Sequence, residues 1–145
     1  MKLIFSIESR RLHIQSSSFS FTIPATSGKG ICQNNASKSC LKASWVGSIP
    51  LGFYSIRSSD LSDPNIAGDL YRNFRHGDWG DWRVKLTPRS STKTFGRSGF
   101  FLHGGKIKGS AGCIDIGGGV TGSKETDLVR KMLLASGSVI LEVRA

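Results

Sequence analysis

The chain has 145 residues and a mass of 15.7 kDa, the length of one domain with one sizeable core. At 38% hydrophobic and 21% charged residues its composition is not that of a disordered chain; no apolar run reaches the ~18 residues of a membrane span, and collagen, coiled coils and repeat arrays are excluded. Twenty Lys and Arg against ten Asp and Glu give a net charge of +10, which suits an anionic partner: nucleic acid, a lipid surface or a polyanionic wall polymer.

Met1-Lys2 is followed by Leu-Ile-Phe-Ser-Ile and then Glu8-Ser9-Arg10-Arg11. That apolar stretch is too short for a secretory signal, and no small-residue cleavage site follows it. The chain is therefore expected to start as a strand of the domain. Residues 2–8 and 12–23 read as two strands about a turn at Ser9-Arg10-Arg11. The second strand places Phe19, Phe21 and Ile23 on one face. Pro24 and Ser27-Gly28-Lys29-Gly30 end it, and residues 27–44 read as a surface loop. Gly47-Ser-Ile-Pro50-Leu-Gly52 is a turn feeding a strand over 53–57.

Residues 58–81 are polar and hold Asp60, Asp63, Asp69, Asp78 and Asp81. They are expected to carry a short helix near 66–74 or to form an insertion lid. Trp82 to Leu86 reads as a strand closed by Thr87-Pro88, and Ser98 to His103 as another, stopped by Gly104-Gly105. Ser110 to Ile116 reads as a tight Gly-rich turn. Residues 123–135 form the one clear helix, with Ser123 as its cap, acids early and bases late as the helix dipole prefers. Leu128, Met132 and Leu133 are expected to face the core. Gly137 ends the helix, and residues 138–143 form a closing strand. The expected fold is a single domain over 1–145, mainly β with one packed helix.

The cysteines are Cys32, Cys40 and Cys113, and the histidines are His13, His76 and His103. No spacing among them suits zinc, so no metal or cofactor is expected. Cys32 and Cys40 lie in a polar loop. They would pair in an oxidising compartment and stay reduced elsewhere, which the sequence leaves open. Cys113 is then the lone thiol.

The chemistry is concentrated in Gly99 to Gly117. His103 ends an apolar strand, and Cys113 follows ten residues later inside a Gly-flanked turn. Thiol catalysis needs a thiolate and an imidazole that takes its proton and returns it to the leaving group. Gly112 lets the backbone turn sharply and lets a substrate carbonyl approach main-chain N–H groups. Ser110 can donate a hydrogen bond to the base or the substrate. The plain alternative is a Cys that is only a small buried hydrophobe and a His that only bonds at a strand end.

His103-Gly-Gly, four residues, then Gly-Ser-Ala-Gly-Cys113-Ile-Asp115 resembles the catalytic signature of the L,D-transpeptidase (YkuD-like) superfamily. It is most similar to a small toxin subfamily delivered by type VI secretion. Pro24-Ala-Thr-Ser-Gly-Lys-Gly, Gly47 to Ile56, Trp82 to Pro88 and Gly96 to Gly104 match further pieces of that subfamily in order. The resemblance covers roughly residues 20–120. Ala111 stands where the broader superfamily has a second histidine, and Asp115 where it has Arg or Asn.

The resemblance implies an L,D-transpeptidase-like β-sandwich or barrel domain. It implies a cysteine-dependent L,D-carboxypeptidase or L,D-transpeptidase acting on peptidoglycan tetrapeptide stems. Cys113, His103 and Ser110 are the implied catalytic residues. Gly112, Gly104, Arg97 and Asp115 are the implied oxyanion or substrate contacts, with Arg97 and Arg83 as candidate ligands for stem carboxylates. The implied partners are stem peptides, a cognate immunity protein and a secretion-apparatus carrier, with no nucleic acid. The implied place of action is the periplasm of a target cell, reached without a signal peptide. A catalytically silent wall-binding module of the same fold is the alternative. Scattered Lys and Arg, with no run of five or more, disfavour a nucleic-acid-binding domain. A papain-type peptidase is disfavoured because His precedes Cys. His76, Trp79 and Trp82 read as loop surface and packing, and His13 has no catalytic partner in sequence.

Overall fold

Alternation of apolar and polar residues builds the first sheet. In the computed structural model, which describes residues 1–62, 82–105, 111–119 and 122–145, β1 (Lys2–Ser6) buries Leu3 and Phe5, and β2 (Arg11–Gln15) buries Leu12 and Ile14. β3 (Ser20–Pro24) pairs with β2, and β4 (Gly52–Arg57) buries Tyr54 and Ile56. The two-residue strand β5 (Leu61–Ser62) and β6 (Arg83–Lys85) follow, then β7 (Thr87–Pro88), β8 (Phe101–Gly105) and β9 (Ile114–Gly118). The last strand, β10 (Ser138–Arg144), buries Val139, Leu141 and Val143.

Among the described residues these strands form two sheets. One runs β3-β2-β1-β10-β4-β7 and the other β5-β6-β8-β9. β10 lies parallel to β1, with Leu3 opposite Leu141, and antiparallel to β4, with Leu141 opposite Tyr54. Glu142 ties this seam together, since its carboxylate meets Lys2 Nζ at 2.7 Å and Arg144 Nε at 2.6 Å. Those two hydrogen bonds, Arg144's first, hold its carboxyl down to about 2. One hydrophobic cluster draws Leu3, Phe5, Leu141, Val84, Leu102 and Ile114 from both sheets. Tyr54 and Phe100 meet edge-to-face inside it, with ring centroids 5.8 Å apart. Trp82 is fully buried, as packing requires.

Several boundaries differ from the sequence expectation, each for a local reason. The strand expected over 12–23 is broken at Ser16-Ser17-Ser18. There Ser18 N–H donates to Ser16 Oγ and Ser16 N–H closes a turn onto Phe19 O; serine side chains compete with the ladder for backbone groups. The loop at 27–44 contains a 3-10 turn, Gly30–Cys32, and a short helix α1 (Lys38–Lys42) whose cap is Ser37. The strand expected over Trp82–Leu86 is β6, and Thr87–Pro88 leaves it for the other sheet. Pro88 sits at that sheet's edge, where a missing N–H costs least. β8 runs through Gly104 and Gly105 instead of stopping at them, and the register against β9 shifts there. β9 itself was expected as part of a turn.

The long helix α2 (Lys124–Ser136) has the expected cap. Ser123 Oγ accepts from Thr126 N–H, and Thr126 Oγ1 accepts from Ser123 N–H. Its buried face is Thr126, Val129 and Leu133, with Met132 packed partly against the core. Leu128 is 46% exposed. It lies about 100° around the helix from Val129, off the stripe that Val129 and Leu133 define. Of the stretch 58–81, the described part is a 3-10 turn (Ser58–Asp60) and β5. The helix expected near 66–74, the lid, His76 and Trp79 lie outside the described residues.

Cys32 and Cys40 form a disulfide across eight residues of sequence. Closing a loop of that length is worth roughly 2–3 kcal/mol in the chain-entropy account. Reduction is expected to lower the unfolding free energy from urea titration by that amount, and with it the midpoint, and a Cys32→Ser, Cys40→Ser variant should show the same midpoint with or without reductant. A parent protein whose midpoint ignores reductant would remove the disulfide from the stability of the fold.

Candidate active site

The second sheet sorts its residues by parity. Leu102, Ile114 and Ile116 point into the hydrophobic cluster. On the other face, the register places Arg83 of β6 opposite His103 of β8, and His103 opposite Asp115 of β9. Directly paired residues share a face, so Arg83, His103 and Asp115 form a row across three strands. Cys113 immediately precedes β9, two residues before Asp115. Cys113, His103 and Asp115 are all buried, at 2%, 1% and 4% exposure. They are buried outside the hydrophobic cluster, which is unusual for polar groups and calls for specific partners.

Those partners are largely main chain. His103 Nδ1 lies 2.5 Å from the carbonyl oxygen of Gly104. A carbonyl only accepts, so Nδ1 carries the ring proton and Nε2 holds the lone pair. Asp115 Oδ1 accepts from Gly117 N–H at 2.7 Å and fixes the turn at the end of β9. Its backbone exchanges two 2.8 Å hydrogen bonds with Thr26, so the segment after β3 braces the site strand. The Cys113 thiol points at Gly99 O, 3.9 Å away.

Arg97, expected as a carboxylate ligand, is taken up inside the protein. Its Nη1 donates to Leu41 O and Ser48 O, both at 2.7 Å, and its Nη2 to Gly47 O at 2.9 Å. Gly112 is likewise not a donor for an oxyanion, because its N–H goes to Gly47 O at 2.8 Å. Its φ of +73° is the turn conformation that glycine permits. Gly104, expected at the substrate, spends its carbonyl on the imidazole. Arg83 packs its guanidinium 5.3 Å from the Phe101 ring. Ser110 lies outside the described residues.

A cleft of about 440 Å³ opens beside this row, lined by Ala25, Thr26, Gly105, Asp115 and Gly117 among others. Neither Cys113 nor His103 lines it; Gly105 and Asp115, each two residues from one of them, do. Among the described residues no three His, Cys, Asp or Glu side chains gather as metal ligands would, and no helix is long and apolar enough to cross a membrane.

The Tlde1 domain profile matches residues 22–132. The chain belongs to the Tlde1 domain family. This is the L,D-transpeptidase-like type VI effector family to which the sequence resemblance points. The fold agrees. L,D-transpeptidase 1 of Mycobacterium tuberculosis superposes with a TM-score of 0.55 at 14% identity, over 99% of this chain and 61% of that one. Bd1075 of Bdellovibrio bacteriovorus superposes with a TM-score of 0.50 at 14% identity, over 99% of this chain and 47% of that one. The chain thus spans less than two-thirds of either protein. No curated protein matches the sequence.

The residues that sequence reasoning missed are those that act through the backbone. Thr26, Gly47 and Ser48 lie within motifs already singled out, Pro24 to Gly30 and Gly47 to Ile56. Ser48 Oγ, which donates to Ser27 O at 3.1 Å, and Ser27 Oγ, which accepts from Ile49 N–H at 2.9 Å, stitch those two motifs together.

Proposed function

We propose that this Tlde1 domain is a cysteine-dependent L,D-carboxypeptidase or L,D-transpeptidase acting on the tetrapeptide stems of peptidoglycan. The observation that supports it most is the register of β8 against β9. It pairs His103 with Asp115, two residues after Cys113, and the contact of Nδ1 with Gly104 O leaves Nε2 as the basic nitrogen.

In this reading His103 Nε2 takes the proton from the Cys113 thiol. The thiolate attacks the carbonyl of the third stem residue, a diamino acid. The tetrahedral adduct collapses as the imidazolium gives its proton to the leaving amine, D-Ala departs, and a thioester remains. Water then attacks the thioester, with His103 as base, and releases the tripeptide stem and the free thiol. An amine acceptor in place of water gives exchange or cross-linking. Loss of donor stems weakens the wall. The domain acts as an antibacterial effector in the periplasm of a target cell, carried there by a secretion apparatus and countered in its producer by an immunity protein. The net charge of +10 suits an anionic wall, and the Cys32–Cys40 disulfide suits an oxidising compartment.

The test is incubation of the purified protein with tetrapeptide muropeptides, following free D-Ala by mass spectrometry. The expected result is loss of one D-Ala per stem, abolished by Cys113→Ala. A free D-amino acid added to the reaction separates exchange from hydrolysis. Unchanged tetrapeptide and pentapeptide stems, with folded protein and a reduced Cys113, would make the domain a wall-binding module.

A further inference from the structure

Beneath the Cys113 turn lies a charge that the reaction scheme does not use. Arg97 is half-buried and faces carbonyls from two directions. Through Nη1 it spans Leu41 O and Ser48 O, and through Nη2 it holds Gly47 O. Gly47 O is also the acceptor of the Gly112 N–H. One oxygen therefore joins the guanidinium to the residue before Cys113. The approach is close: a Cβ built on Gly112 would lie 2.9 Å from Arg97 Nη2 and 3.2 Å from the Phe100 ring. Phe100 in turn stacks under the guanidinium at 5.8 Å.

We infer that Arg97 is the positioning residue of this site, fixing the Gly112–Cys113 turn through Gly47 O and setting a permanent positive charge beside the sulfur. The inference rests on the reading of Cys113 as nucleophile. Three carbonyl bonds from one side chain suit a planar guanidinium and not an ammonium. Burial pulls the guanidinium toward its neutral form, and a negative charge on Tyr54 or on Cys113 would oppose that pull. Tyr54 stays a neutral phenol, because burial drives its ionisation well above the ordinary range and its hydroxyl donates to Pro50 O at 2.7 Å. Of the two groups, the thiol is the one that can ionise beside Arg97. Among the described residues, the other charged or titratable groups in the paired row are His103 and Arg83 across the strands and Asp115, two residues after Cys113.

The test titrates Cys113 through the ultraviolet absorbance of its thiolate, with a Cys113→Ala blank, in a His103→Gln background that removes the imidazole. Arg97→Met is expected to cut the thiolate fraction near neutrality about tenfold, one unit of thiol pKa. Arg97→Lys keeps the charge but not the fork, and is expected to restore part of that fraction. Circular dichroism selects folded variants; if Arg97→Met fails to fold, Arg97→Gln replaces it. In the His103 parent, D-Ala release by the neutral variant should lose kcat about tenfold with KM unchanged. A folded neutral variant with an unshifted thiol titration would overturn the inference. So would a rise in KM alone, which would return Arg97 to the substrate. The titration needs no turnover, so it stands even if D-Ala release fails.

Discussion

A His103→Gln variant is expected to release D-Ala about 10²- to 10⁴-fold more slowly than the parent, while unfolding at nearly the same temperature. The glutamine amide can still donate to Gly104 O, the partner of Nδ1 in the structure. It has no basic nitrogen to take the Cys113 proton. Because His103 is buried at 1% exposure, a thermal melt of the variant separates lost chemistry from lost packing. The measurement is initial rate against tetrapeptide stems alongside a thermal melt. A folded variant that kept more than about a tenth of the parent rate would be outside the span of general-base catalysis and would take the proton transfer away from His103.

Gly47→Ala is expected to be the most damaging single-methyl change near the site. A Cβ at Gly47 would lie 2.1 Å from Cys40 O and 2.3 Å from Ala43 O. Both atoms are backbone, so neither can swing aside as a flexible side chain would. The methyl would also sit 3.0 Å from Arg97 Nη1. Relief requires the segment after α1 to move, and with it the Gly47 carbonyl that receives Gly112. We expect a loss of roughly 3 kcal/mol, the upper end of the usual cost of overpacking a buried site. At this chain length that is a fall in melting temperature on the order of 10 °C. Gly96→Ala makes the control, since a Cβ there meets nothing within 4 Å, although its φ of +76° carries a backbone cost of about 1–2 kcal/mol. Equal melts for the two variants would show that the turn at Gly47 has slack.

Local signals in the sequence were enough for some elements and not for others. Helix α2 is legible because Ser123 caps it and acids stand in its first turn. Its rotation was less legible, and Leu128 was placed on the wrong side. β9 was hidden because Gly117 and Gly118, at φ of +74° and +93°, dilute the apolar signal of Ile114 and Ile116. The long strand over 12–23 overlooks Ser16, whose side chain takes the Ser18 N–H from the ladder. At the site, His103 and Cys113 stood out as a pair because their chemistry is rare at that spacing. The occupations of Arg97 and Gly112 did not. Both depend on the Gly47 carbonyl, 50 residues before Arg97, and only folding brings it there.

The strand order of the larger sheet also fixes a time of assembly. β10 is inserted between β1 and β4, so residues 138–144 join the earliest strands to the middle of the chain. A ribosome working from the N-terminus makes β1 to β3 first, then β4 and β7, and neither group has its neighbour until β10 emerges. Until then the edges of β1 and β4 are open, and Leu3, Phe5, Tyr54 and Ile56 lack their cover. Contacts of such long sequence separation form slowly and leave sticky edges exposed meanwhile. The nascent domain therefore waits, unsealed, until residues 138–144 have been made, because the larger sheet cannot close without them.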